Sequence, residues 1–446
     1  MIKKLWGLKN LVHDAVEETT NLVERTHDSV AEKPLRYLQY VPGVDKSAEA
    51  IVGAEQSTAG AVFDAIRRVN RGIDRVTDTP LSLAAEHGIG EGAPAELPQG
   101  ADPPVHNAVG FYVDQAEGAI NGVLGDYLRQ RGNHLSLEMG LRSGGQPVAL
   151  ESEALAATLP KAGPRVCLFV HGLATTEWSW GFYSDEHYGE PGVSYATQLA
   201  RDLDLTSLFV RYNSGRHISD NGQELSALLE RLVDEYPGGI EELTLIGHSA
   251  GGLVVRSAAH YAREAGAEWL TRLHNIVCIG SPHLGAPLEQ ATNVLTSVLG
   301  FFDVPGTQVP AEILNARSDG MKDLRFGYTV DEEWVDRDPD ALLDDNRKEM
   351  PFVDGVSYYF VAGHMSEDRA HPGSWLLGDL LVRVPSAGGI SKTGRMPFRF
   401  GKTFPNMRHL HLLNHPDVYA LVRQVCDGGI DPATMPHDPD ELSPGS

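Results

Sequence analysis

No apolar run in the chain approaches the roughly 18 residues that a membrane-crossing helix needs, so a bilayer-spanning segment is not expected. The start, MIKKLWGLKNLVHD, is basic at first. Lys9, Asn10, His13 and Asp14 interrupt it before an export-type apolar stretch can form, and no small-residue cleavage site follows. That reading predicts a cytoplasmic protein. Cysteine is scarce: Cys167, Cys278 and Cys426 are odd in number, far apart and without a CxxC pair. Cys167 and Cys278 sit inside apolar, strand-like runs, which points to buried free thiols rather than disulfides or metal ligands. Positive charge is also short. Lys and Arg total 37 against 61 Asp and Glu, a formal net charge of −24. This balance argues against nucleic acid or an anionic membrane surface as a partner and leaves a neutral lipid open. There is no Walker phosphate loop and no GxGxxG after a strand, so no redox or nucleotide cofactor is expected. No His/Asp cluster has metal-ligand spacing along the chain, so no metal is expected either.

What is present is a globular composition, 41% hydrophobic and 22% charged over 446 residues, with room for one large core and an additional domain. Residues 2–30 place Leu5, Leu8, Val12, Val16, Thr19, Leu22, Val23 and Val30 at steps of three and four. After Pro34 and Pro42-Gly43, residues 45–77 repeat the pattern with Ile51, Thr58, Val62, Ile66, Val69, Ile73 and Val76. Both stretches read as amphipathic helices, and residues 1–87 are expected to form an antiparallel hairpin. Its apolar face suits packing on the core, on a second copy of the chain or, with Trp6 and the basic start as an anchor, on a lipid or polyester particle. Asp14, Glu17, Glu18, Glu24 and Asp28 weaken the membrane version. Residues 88–105, GIGEGAPAELPQGADPPV, read as a linker, 106–430 as the main domain and 431–446 as a disordered tail.

In the main domain a helix is expected from about 107 to 131. A strand hairpin around 134–150 follows, turning at Ser143-Gly144-Gly145. The alternation then becomes regular. Strand Val166–Val170 leads to a helix near 193–203, strand Ser207–Arg211 to a helix near 220–236, and a strand ending at Ile246 to a helix over 250–265. Strands Asn275–Ile279 and Val356–Ala362 and a closing helix Pro416–Val425 complete the series. Continuous apolar strands alternating with helices predict an α/β fold, a mostly parallel sheet covered on both faces. Residues 284–350 break the rhythm and are expected to form a lid or pocket wall above the C-terminal strand edge.

One stretch organises the rest. Apolar Leu243, Leu245 and Ile246 run into Gly247-His248-Ser249-Ala250-Gly251, and Leu253, Val254, Val255, Ala258 and Ala259 begin a helical pattern. A Gly-x-Ser-x-Gly match arises by chance about 0.3 times in a chain this rich in glycine, so the strand-turn-helix context decides. In that context the turn is too tight for a Cβ at either glycine, and the serine hydroxyl projects at a helix N-terminus that favours developing negative charge. His248 is read as the first variable position of the motif.

A serine hydroxyl needs a base within hydrogen-bond reach and a group to orient that base. On such a sheet an acid follows the serine in the chain and a histidine comes last. Asp379 and Asp368 compete for the acid. His409, His411 and His415 offer the base, and His415, next to Pro416, reads as a helix-start residue. His171 and His248 precede the serine and do not fit the order. For an oxyanion, the backbone N–H groups of Ala250 and Leu173 are the candidates.

Residues from about 165 to 425 resemble the α/β-hydrolase superfamily, specifically bacterial triacylglycerol lipases and esterases and the related PGAP-type deacylase-like proteins. The shared stretches are the first strand with His171-Gly172-Leu173, RYNSGRHISDNG (211–222), LIGHSAGGLVVRS (245–257), GSPHLGAPLE (280–289), GDLLV (378–382) and HLHLLNHPDVY (409–419). The resemblance implies His409 as base, with His411 where these lipases carry glycine, and Asp379 as acid, with Leu380 replacing a glycine. It implies a Ser249–Asp379–His409 esterase or lipase working through an acyl-enzyme on a small-molecule or lipid ester. An acyltransferase or intracellular polyester depolymerase with the same triad, and a non-catalytic lipid-surface or scaffold protein, remain the alternatives.

Overall fold

Gly144 and Gly145, at φ of 54° and 77°, fold strand β1 (Gly140–Ser143) back onto β2 (Gln146–Val148), the left-handed pair of glycines that a two-residue hairpin turn demands. The computed structural model describes residues 4, 6, 7, 9, 10, 14, 108–286, 318–337, 346–365, 379, 381–391 and 394–430. Most of the expected N-terminal helical hairpin lies outside them. So do the linker, the tail, the stretch around Leu295–Phe302 and Asp368. The described residues fall into two units. In the first, Asn133 Nδ2 donates to the Gly7 carbonyl (3.0 Å), and the Trp6 and His134 rings lie 4.6 Å apart. The second carries the sheet.

That sheet has eight strands in the order β2-β1-β4-β3-β5-β6-β7-β8. Its members after the hairpin are β3 (Arg165–Val170), β4 (Thr206–Arg211), β5 (Glu242–His248), β6 (Leu273–Ile279), β7 (Ser357–His364) and β8 (Phe400–Pro405). β3 through β8 pair in parallel, and β1 is antiparallel to both neighbours. The alternation of side chains shows why both faces are covered. Val166, Leu168, Val170, Leu243 and Leu245 point to one side, where helices α5 (Ile218–Glu235) and α6 (Ala250–Ala265) bring Leu225, Leu229, Leu232, Leu253 and Val254. Cys167, Phe169, Ile246, Val277 and Ile279 point to the other, against Tyr195 and Leu199 of α4 (Tyr195–Leu203) and Val418 and Val422 of α9 (Pro416–Cys426). A strand buried on both faces has no polar alternation to show, which is why these runs read as continuous hydrophobics. The three cysteines are buried and free.

The other α-helices among the described residues are α1 (Ala108–Gln130), α2 (Ser152–Thr158), α3 (Ser184–Tyr188), α7 (Asp319–Phe326) and α8 (Val384–Ala387). The segment after β3 is anchored by buried Arg211, whose Nε donates to Glu177 Oε2 (2.7 Å) and whose Nη2 meets Asp114 of α1 (2.7 Å). Charge-assisted bonds of this type position a loop more firmly than neutral ones. The described part of the 284–350 insertion is packed structure. Asp323 of α7 accepts from the Ile218 N–H (2.8 Å) at the start of α5, and Glu333 accepts from the Val330 and Lys348 N–H groups (3.0 and 2.7 Å). No helix among the described residues is long and apolar enough to cross a membrane. β8 was not expected from the sequence. In it Gly401 gives way to the Phe360 ring, whose Cε1 would lie 1.8 Å from a Cβ there.

Candidate active site

Ser249 stands at the corner between β5 and α6 with φ 54° and ψ −122°. An L residue avoids that conformation at a cost of about 1–3 kcal/mol. Its surroundings enforce it. A Cβ on Gly247 would fall 2.5 Å from the Gly251 backbone, and one on Gly251 would fall 2.3 Å from the Val170 carbonyl oxygen. Neither position has room for any residue but glycine. The Ser249 N–H donates to the Ile279 carbonyl (2.8 Å), which ties the corner to the end of β6. Ala250 opens α6, so its N–H is among the first-turn donors that have no intrahelical acceptor, at the positive end of the helix dipole.

The loop after β3 lies against this corner: a Cβ on Gly172 would be 3.1 Å from Ser249 Cβ. Leu173, the other expected oxyanion donor, follows directly and is buried. His171 fixes the loop. Its Nδ1–H donates to the Gly172 carbonyl (2.9 Å) and its Nε2 accepts the Tyr212 N–H (3.3 Å). The Tyr212 hydroxyl donates back to the His171 carbonyl (2.8 Å), and the two rings stack at 4.4 Å. Burial pushes His171 down to about 3, so the ring is neutral, as one donating and one accepting nitrogen require.

Asp379 and His409 are brought together. His409 Nδ1 lies 2.7 Å from Asp379 Oδ2, and the His409 N–H donates to the Asp379 carbonyl (3.2 Å). Asp379 Oδ1 accepts from the N–H groups of Leu381 (3.0 Å) and Val382 (2.7 Å). Both side chains are buried, and His409 Nε2 has no hydrogen-bond partner. The ring rests on the end of β6, where a Cβ on Gly280 would lie 3.1 Å from His409 Cε1. Ser249 and His409 therefore both adjoin the Ile279–Gly280 step. His411, the other candidate base, faces elsewhere: its ring centroid is 4.1 Å from that of Tyr183 and 5.7 Å from that of His187. His415 is the N-cap of α9, accepting the Asp417 N–H (3.1 Å).

The reading of His248 as a filler position was incomplete. Its Nε2–H donates to the His409 carbonyl (3.2 Å), and the two rings lie 4.6 Å apart. Burial, with His409 nearby, holds His248 well below the usual imidazole range, so it stays a neutral donor. Tyr212, inside the 211–222 stretch, likewise supports the site through its contacts with His171. Nothing in the sequence marked either as a support for the site.

Residues 163–326 match the family described as PGAP1-like alpha/beta domain. The described core has the α/β-hydrolase fold. No curated protein matches the chain. Solved structures similar to it include the mature Bacillus licheniformis lipase BlEst2 (18% identity, 59% of this chain and 92% of that one, TM-score 0.38). The RedJ thioesterase of the prodiginine biosynthetic pathway in Streptomyces coelicolor is another (16%, 60% and 91%, TM-score 0.35). A thermophilic esterase from Thermogutta terrifontis is a third (12%, 60% and 91%, TM-score 0.34).

Within the α/β-hydrolase core, His248 is a support for the turn that carries His409. Replacing it by alanine leaves a buried carbonyl without its donor, which costs about 1–3 kcal/mol. The expected result for His248→Ala is a folded protein destabilised by that amount. A thermal or denaturant melt checks this; a curve matching the parent's would remove the role. Among the described residues, Glu186, His187 and His411 are the group with metal-ligand chemistry.

Proposed function

We propose that this chain is a serine carboxylic-ester hydrolase. His409 Nε2 takes the proton from Ser249 Oγ as the oxygen attacks the ester carbonyl, and Asp379 holds the imidazole with its proton on Nδ1. The N–H groups of Leu173 and Ala250 receive the developing oxyanion. When the tetrahedral intermediate collapses, His409 returns the proton to the leaving alcohol. Water then attacks the acyl-enzyme by the same route and releases the acid.

The observation that carries this reading is the buried Asp379–His409 pair, with Nε2 unpartnered, at the strand end where the strained Ser249 corner is tied. A general base needs that nitrogen bare, and no other side chain among the described residues occupies it. The match of residues 163–326 to the PGAP1-like alpha/beta domain supports a hydrolase. The test is hydrolysis of p-nitrophenyl butyrate by the purified chain and by His409→Ala. Turnover is expected in the first and a loss of at least about 10⁴-fold in the second, because nucleophile and base act as one unit. Equal rates for both would refute the reading. A series of longer p-nitrophenyl esters, with and without emulsified lipid, then separates esterase from lipase.

A further inference from the structure

Glu186 and His187 sit on α3, a single turn that the left-handed residues Tyr183 and Gly189 (φ 59° and 68°) set between β3 and α4. His411 comes from the far end of the chain, on the 3-10 turn His409–Leu413. The two segments are already held together. Asn414 Nδ2 donates to the Phe182 carbonyl (3.2 Å), and the Tyr195 hydroxyl donates to the Leu412 carbonyl (2.8 Å). One donor atom from each of Glu186, His187 and His411 lies within 4.8 Å of the other two. His187 Nε2 is buried and has no hydrogen-bond partner. The His187 ring has two imidazole neighbours, His415 at 4.8 Å and His411 at 5.7 Å. Neither the Ser249 corner nor the Asp379–His409 pair uses any of them.

An unpartnered imidazole nitrogen beside two other imidazoles is a poor hydrogen-bonding arrangement and a good ligating one. Zinc holds its ligand atoms at about 2.0–2.1 Å, which sets tetrahedral neighbours about 3.3 Å apart. The cluster must therefore contract by at most about 1.5 Å to reach that spacing. Glu186 is exposed, and its side chain is free to swing inward. Two imidazoles and one carboxylate suit zinc, cobalt, nickel or copper, whereas magnesium and calcium prefer all-oxygen sets.

We propose that Glu186, His187 and His411 bind one divalent transition-metal ion of the zinc class, with water at the fourth corner. His411 is two residues from His409 in the same turn. A bound ion would tie that turn to α3 and so brace the imidazole of the proposed triad. The bracing rests on the ester-hydrolase reading; the binding does not.

The test uses the full chain stripped with a chelator and titrated with Zn²⁺, affinity being read by competition with a chromophoric chelator. Co²⁺ substitution provides a visible absorption band that reports four-coordinate geometry. One ion per chain is expected. Glu186→Gln, His187→Ala and His411→Ala should each weaken binding by about 10²-fold or more, beyond what loss of an outer supporting group does. The exposed His274 is the control, and His274→Ala should bind as the parent does. Glu186→Gln changes only an exposed side chain, and its melting curve in the absence of metal should match the parent. The proposal is overturned if the parent takes up no Zn²⁺, or takes it up no more tightly than the His187→Ala/His411→Ala double variant. Both readouts are of metal binding, so they stand whether or not the chain cleaves esters.

Discussion

Ser249→Ala is expected to lower kcat on a p-nitrophenyl ester by at least about 10⁴-fold, leaving only what the oxyanion donors and substrate binding supply. Alanine keeps the Cβ and with it the strain of the φ 54°, ψ −122° corner, so stability should stay close to that of the parent. Glycine separates the two properties. Ser249→Gly should be as inactive as alanine yet more stable by about 1 kcal/mol, because relief of the left-handed strain outweighs the greater freedom of the unfolded glycine. A thermal or denaturant melt beside the kinetics reads both. If glycine at this position destabilises, the corner is not strained as described.

Asp379→Asn should be nearly as severe, about 10⁴-fold in kcat, with the fold retained. The geometry gives the reason. Asp379 Oδ1 accepts from the Leu381 and Val382 N–H groups. An asparagine keeps those bonds only by placing its carbonyl oxygen there, which turns its NH₂ toward His409 Nδ1. That nitrogen must then accept rather than donate, and the proton moves to Nε2, where the base has to be bare. The enzyme would be folded and hold the wrong tautomer. A variant retaining more than about a tenth of the parent kcat would show that the Asp379–His409 pair does not orient the base.

The elbow was legible in the sequence because its two glycines have a steric cause: the Gly247 and Gly251 positions abut backbone, and no other residue fits. The parallel core was legible for a similar reason. Strands such as VCLFV, buried on both faces, leave no polar alternation, and their order with the helices could be read directly. The hairpin at Gly144-Gly145 followed from turn chemistry. β8 was not seen, since FGKTFP carries a glycine and a proline that break a strand pattern, and its Gly401 makes sense only once Phe360 is beside it. Residue types alone left His409 and His411 open as bases. Two residues apart on a tight turn, they point in different directions, one to Asp379 and the other to Tyr183 and His187. Spacing along the chain carries no trace of that. The same holds for His248, whose partner carbonyl is at His409, and for Glu186 and His187, which meet His411 only through the fold. Asp368 lies outside the described residues, so the comparison with Asp379 rests on the contacts Asp379 makes.

The most direct measurement is labelling of the intact protein with a fluorophosphonate, followed by mapping of the modified peptide by mass spectrometry. A phosphonylated Ser249, absent in Ser249→Ala and strongly slowed in Asp379→Asn, is the predicted result. No labelling of the folded protein, or labelling that persists after Ser249→Ala, would contradict a nucleophile at the β5–α6 corner.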